Sequence, residues 1–168
     1  MEINSIEPFL QYLTRTRLIT EAVIAAIPHD KLDWTYAPGK FTMADLIRHI
    51  AGIERYVFAE IALGKKPAYK GCGKEIADGY GAVMEYFTTR HNESVEIFKT
   101  LSDEALQRKV TSVNGKEVEL GKFLRALIIH EVHHRAALCI YLNLLGISSP
   151  PVLGLKEEQV IQISREIL

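Results

Sequence analysis

The sequence predicts an all-α protein: an antiparallel four-helix bundle with a small β-hairpin between helices three and four and a short C-terminal helix. Three observations point there. Four long segments repeat apolar residues at three- and four-residue spacing, the period of a helix buried along one side. Turn-forming residues cluster between those segments. One Asn-Gly pair, Asn114-Gly115, stands between two short β-favouring runs.

The first helix is expected from Ile6 to Ile27, on Leu10, Leu13, Leu18, Ala22 and Ala26, with Pro28 ending it. A connector to Gly39 carries Trp34 and Tyr36. Thr42 and Asp45 have the spacing of a capping box, and an apolar stripe follows at once: Leu46, His49, Ile50, Ile53, Val57, Ile61. Gly64, two lysines and Pro67 stop that second helix, and 64–74 reads as a Gly-rich loop. The third helix is expected over Ile76–Leu101, on Val83, Phe87, Ser94 and Ile97. The hairpin comes next, with arms at 108–113 and 116–119. The fourth helix spans Leu120–Leu145 and closes at Gly146; Pro150-Pro151 separates it from a tail helix over Lys156–Ile167.

A chain of 168 residues fits one domain, 1–168, and can bury a core without a disulfide. Its 48% hydrophobic and 24% charged content exclude a disordered chain. A net charge of −1 offers no field for a polyanion, so no nucleic-acid partner is expected. No run reaches the ~18 apolar residues of a membrane span, so no membrane partner is expected either. The N-terminus lacks the basic-then-apolar pattern of a signal peptide, and Cys72 and Cys139 have no C-x-x-C spacing. Those features fit a cytoplasmic protein.

The densest chemistry lies in His130-Glu131-Val132-His133-His134. Residues four apart on a helix lie about 40° apart and about 6 Å along the axis, so His130 and His134 project from one face. Both fall on the stripe Phe123, Leu127, His130, His134, Ala137, Tyr141, Leu145 that should face inward, and His49 does the same on helix two. A lone inward histidine is most simply a hydrogen-bonded core residue. Three of them on two helices favour a metal site, because burial keeps imidazole neutral and able to donate a lone pair. Three neutral ligands leave a fourth position for water or substrate, and zinc, nickel and iron all accept such a set. His133 adjoins the stripe's edge and is either a proton shuttle or a partly exposed residue. Glu131 and Asp45 could orient ligands, although a solvated charge and a helix cap are the simpler roles. His29 and His91 have no such company and are expected at the surface.

The same segment matches H-E-x-x-H, in which a glutamate beside zinc activates water for peptide hydrolysis. Only three of its five positions are fixed. A downstream third ligand would have to be Glu157 or Glu158, beyond Pro150, Pro151 and Gly154.

Three segments also carry a family likeness: Ile27-Pro28-His29-Asp30-Lys31-Leu32-Asp33-Trp34, then 38–50 with its capped helix and His49, then His130-Glu131-Val132-His133-His134-Arg135. In order and spacing the chain resembles the DinB/YfiT-like superfamily of small four-helix metal-binding proteins. The resemblance implies a metal triad at His49, His130 and His134, and a homodimer formed through the helices. Many members continue H-R-G-Q after the last ligand, whereas this chain has His134-Arg135-Ala136-Ala137. Relatives implied by the family include thiol S-transferases using bacillithiol or mycothiol, and a thiol-dependent maleylpyruvate isomerase.

The expected protein is therefore a metal-dependent enzyme with one divalent ion and a small-molecule substrate. A low-molecular-weight thiol would serve as co-substrate, and His133 or Glu131 would move protons. Trp34, Tyr36 and Tyr56 are candidates for its pocket wall, although large aromatics more often serve as core. The alternatives are a metal-containing ligand-binding or dimerisation module without turnover and, more distantly, the H-E-x-x-H protease.

Overall fold

The computed structural model describes residues 3–151 and 154–166. Met1 and Glu2 of the signal-peptide argument, and Ile167 at the expected end of the tail helix, lie outside the described residues. The chain folds as a four-helix bundle with a hairpin before its last long helix. Helix α1 is Ile6–Ala25, and α2 is Met43–Ile53. The second helix runs on without a break through a π-helical stretch, Glu54–Ala59, and a last α-turn, Glu60–Ala62. Helix α3 is Tyr80–Lys99, α4 is Leu120–Leu144, and the tail helix α5 is Glu157–Glu166.

The start of α2 follows its sequence signal. Thr42 accepts from the Asp45 amide at 3.0 Å, and the Asp45 carboxylate accepts from the Thr42 amide at 2.9 Å, a complete capping box. Strands β1 (Lys109–Thr111) and β2 (Glu117–Glu119) pair antiparallel, with Val110 opposite Val118. Their loop is wider than a two-residue turn: Ser112 pairs again with Lys116, and Asn114 Oδ1 accepts from the Lys116 amide. Gly115, at φ 78°, occupies the left-handed position.

Two apolar clusters define the ends of the bundle. One joins Phe9 and Leu13 of α1 to Phe58 and Ile61, Phe98, and Leu120 and Leu124. The other joins Val23 and Ile24 to Met43 and Ile47, Val83 and Phe87, and Leu138 and Leu142. Helices α1 and α4 therefore start at the first end, while α2 and α3 start at the second. Helix α1 packs on α3 and α4, as does α2. The antiparallel expectation holds for α1 with α3 and for α2 with α4, while the other neighbouring pairs run the same way. The cause is the 63–79 connection, which returns along α2 instead of making a short turn. It is fastened there by Ala68 N–H to Tyr56 O (2.8 Å) and by the buried Arg48, which donates to Cys72 O (2.6 Å) and Ala77 O (2.7 Å).

Between the apolar clusters lies a buried polar layer that the sequence analysis did not anticipate. Arg17 pairs with Glu54 and, at 3.1 Å, with Glu131; Thr20 donates to Glu131 at 2.6 Å. His91, expected at the surface, is instead buried with Nδ1 2.8 Å from Glu54. A helix mostly of polar residues around position 91 masks such a partner, because Glu54 is remote in sequence. Glu54 also corrects the α2 stripe: it is fully buried, whereas Ile53 is only partly so. The tail helix lies exposed over 157–165. Among the described residues no helix is long and apolar enough to cross a membrane.

Candidate metal centre

His49 projects from α2 and His130 and His134 from α4, the antiparallel pair whose contact the return loop makes possible. The three rings converge, with centroids 5.0 Å (49–130), 4.6 Å (49–134) and 4.5 Å (130–134) apart. Candidate ligand atoms of all three lie within 4.8 Å of one another, and no other such group of three occurs among the described residues. The Nε2 atoms of His49 and His130 are 3.1 Å apart. Two nitrogens bound tetrahedrally at about 2.0–2.1 Å lie about 3.3 Å apart, so this spacing fits a shared cation.

Burial lowers the pKa of each ring, and the neighbouring imidazoles add to the effect: His130 is pushed down to about 3 and His134 to about 4, and His49 is lowered by burial. At neutral pH all three rings are therefore uncharged, each with one nitrogen lone pair to offer and one N–H. His130 Nδ1 is buried without a hydrogen-bond partner among the described residues. His49 is better held. Its Nδ1 lies 2.9 Å from the Tyr69 hydroxyl, on the side of the ring away from His130. With Nε2 given to a cation shared with the other histidines, Nδ1 would carry the proton and Tyr69 Oη would accept it.

Tyr69 sits on the return loop, and Gly52 makes room for it. A Cβ at residue 52 would stand 2.9 Å from Tyr69 Cε2 and 3.1 Å from the Tyr86 hydroxyl. Phe41 faces His49 at 5.5 Å and Phe58 faces His130 at 6.4 Å. Trp34 and Tyr36 meet Tyr141 edge-on, and the Tyr141 hydroxyl donates to Phe41 O at 3.0 Å. Those two aromatics thus pack on Tyr141, which is bonded to the backbone of Phe41. Tyr56 does not reach it: its hydroxyl accepts from Arg90 at 2.6 Å on the α3 side. Tyr69, Phe41, Phe58 and Gly52 were not found by sequence reasoning. Tyr69 lies in an aperiodic loop, and a helical glycine such as Gly52 carries no local signal of the ring it makes room for.

Of the two proton-moving candidates, His133 is exposed, its ring centroid 5.0 Å from that of His134. Glu131 is elsewhere. Its carboxylate faces the core, tied to Thr20 and Arg17, so it neither orients a ligand nor meets solvent. Burial pushes its pKa up; Arg17 offsets that in part and the Glu54 charge adds to it. One residue along a helix turns the chain about 100°, and that rotation carries Glu131 from the histidine face to the interior. Asp45 serves as the cap and binds Arg48 at 2.6 Å. The nominated Glu157 and Glu158 lie on the exposed tail helix.

Fold and site together define a four-helix-bundle protein with three inward imidazoles between its second and fourth long helices. Residues 12–138 match the DinB superfamily, and the chain belongs to that family. It is 23% identical over 138 residues to the uncharacterised protein YjoA of Bacillus subtilis, covering 80% of this chain and 87% of that one. A DinB-like protein from Bacillus cereus has the same fold, with a TM-score of 0.70 and 20% identity over 89% of this chain and 98% of its own. So does YfiT of Bacillus subtilis, described as a probable metal-dependent hydrolase with an unusual four-helix bundle topology. Its TM-score is 0.63 at 18% identity, covering 85% and 89% of the two chains.

Proposed function

We propose that this protein is a metal-dependent enzyme that activates a small thiol for transfer to an electrophile, with His49, His130 and His134 holding one divalent ion. The observation that carries this reading is the convergence of three neutral, half-buried imidazoles on one point. Zinc, nickel or iron bound there would supply a Lewis acid that lowers the pKa of a thiol or a water. The protein's own residues favour the thiol. With Glu131 tied to Thr20 and Arg17 in the core, the glutamate of the H-E-x-x-H pattern is not placed to take a proton from water. A thiol, ordinarily near pKa 8.5, needs far less help than water at 15.7. His133, beside His134, accepts the displaced proton. Phe41 and Phe58 give the substrate an apolar wall, and Tyr69 keeps the His49 ring in place.

Low-molecular-weight thiols are cytoplasmic, and two unpaired cysteines suit that location. The enzyme acts as a homodimer. Support comes from α4, which exposes Ile129, Val132, Ile140 and Leu144 on one stripe around the small Ala136. A hydrolytic reaction is the second reading, supported by the description given to YfiT.

Untagged protein should purify with, or take up, about one divalent ion per chain. Loaded protein should conjugate a thiol to monochlorobimane and stop on addition of a chelator. Full loading with no turnover across a panel of thiols would end the transferase reading, and ester hydrolysis under the same conditions would establish the second one. Failure to load at all would end both.

A further inference from the structure

We infer that the cleft between the last turn of α2 and the β-hairpin is a binding site for a small organic anion with a compact apolar body. The cleft has a volume of about 760 Å³, in the range of small-molecule sites. It shares no residue with the histidine centre, since Ile61 on its wall lies twelve residues, about 18 Å, along the second helix from His49.

Its chemistry is one-sided. Lys65, Lys66, Arg108 and Lys109 line it, and among the described residues no aspartate or glutamate does. In a chain with 20 basic and 21 acidic residues, that is a local concentration of charge. Among the described residues no carboxylate lies within 4.0 Å of Lys65 or Lys66, and Lys109 only just meets Glu117, at 4.0 Å. Four like charges around one cavity repel each other, and an anion between them relieves that repulsion.

Backbone bonds fix the segments that carry these cations. Gly64, at φ 76°, ends the helix, and the Lys65 amide bonds Glu60 O at 2.9 Å. That sends Lys65-Lys66-Pro67 across one side of the opening. On the other side Arg108 donates through Nη2 to Ala62 O, which leaves the rest of its fork free for a carboxylate, phosphoryl or sulfonyl group. Ile61 and Val110, both buried, form the apolar floor, and Pro67 adds to it. A charged rim over an apolar floor selects a molecule with one anionic end. A long polyanion gains no general attraction from the rest of the chain, whose net charge is −1.

Anilinonaphthalene sulfonate combines such an anion with such a body and reports its own binding by fluorescence. Full-length native protein should bind it at one saturable site that weakens with salt and is indifferent to a chelator. Lys65→Gln/Lys66→Gln and Arg108→Gln should each weaken binding about tenfold or more. The double change Lys40→Gln/Lys156→Gln, which alters net charge equally at exposed positions elsewhere, should not. Arg108→Lys, which keeps the charge and the fold, should retain part of the affinity. No saturable binding, or equal affinity in the cleft and control variants, would overturn the inference. Loss of binding in His134→Ala would do so too, by placing the probe at the metal centre.

Discussion

Replacing Tyr69 by Phe removes one oxygen, the atom 2.9 Å from His49 Nδ1, and leaves the ring that packs over Gly52. The cost to folding is the partly exposed hydrogen bond to His49, about 0.5–1.5 kcal/mol, together with the weaker one to the Cys72 thiol. At this chain length that lowers Tm by about 2–4 °C per kcal/mol. The cost to the metal is larger. With Nδ1 unpaired, His49 can turn about χ2 and is a weaker base at Nε2; loss of such a partner typically reduces metal affinity 10–100-fold. Competition for zinc against a chromophoric chelator at pH 7.5 would measure it, with stoichiometry still at one. Gly52→Ala should reproduce the defect by another route, since its new methyl would press on the Tyr69 ring at 2.9 Å and displace it. Unchanged zinc affinity in Tyr69→Phe would refute the orienting role and leave Tyr69 as packing alone.

Glu131→Gln should keep metal stoichiometry and any thiol-transfer rate within about twofold, because the side chain faces Thr20 and Arg17 and not the histidines; an H-E-x-x-H enzyme would lose activity by orders of magnitude. His91→Ala should leave metal binding unchanged and lower thermal stability by about 1–3 kcal/mol, since Glu54 is left in the core with one partner fewer; denaturation of apo and loaded protein separates the two effects. The three ligand histidines titrate below their unfolded value of 6.5, so the unfolded chain takes up protons first as pH falls. Apo-protein should therefore hold full stability above about pH 7 and lose it progressively from about 6.5 down toward 3. His134→Ala should flatten that slope, as followed by Tm against pH.

The elements most legible in the sequence were those with local causes. Thr42 and Asp45 announced the start of α2, and Gly146 announced the end of α4, because caps and left-handed residues act within a few positions. The three histidines could be brought together from helical phase alone, since each sits on a stripe of long period. What periodicity could not convey was partnership across the chain. Glu131 and His91 read as solvent-facing because Arg17 and Glu54, which hold them, are 114 and 37 residues away. The stripe on α2 also misses Glu54, which turns fully inward where the π-helical stretch begins, beside an Ile53 that is half-buried against the core. An inserted residue of that kind leaves no compositional mark.

The 63–79 connection links topology to chemistry. A short turn after α2 would have laid α3 antiparallel beside it, with α4 returning next to α3 through the hairpin. The long return instead sends α3 in the direction of α2 and puts the start of α4 at the same end as that of α1. That arrangement leaves the flank of α2 bearing His49 open to α4, at the level of His130 and His134. The loop that permits this also brings Tyr69 back to His49, and it is fixed by Arg48, the residue immediately before that ligand. Arg48 is almost wholly buried, and its three hydrogen bonds go to the loop and to the cap of α2. Removing its guanidinium would loosen the loop and the helix start together. Arg48→Met should therefore impair both stability and zinc affinity, whereas Tyr69→Phe should impair chiefly the second. If Arg48→Met lowered stability but left zinc affinity intact, the loop would be a topological strap only, and the orientation of His49 would have to come from α2 itself.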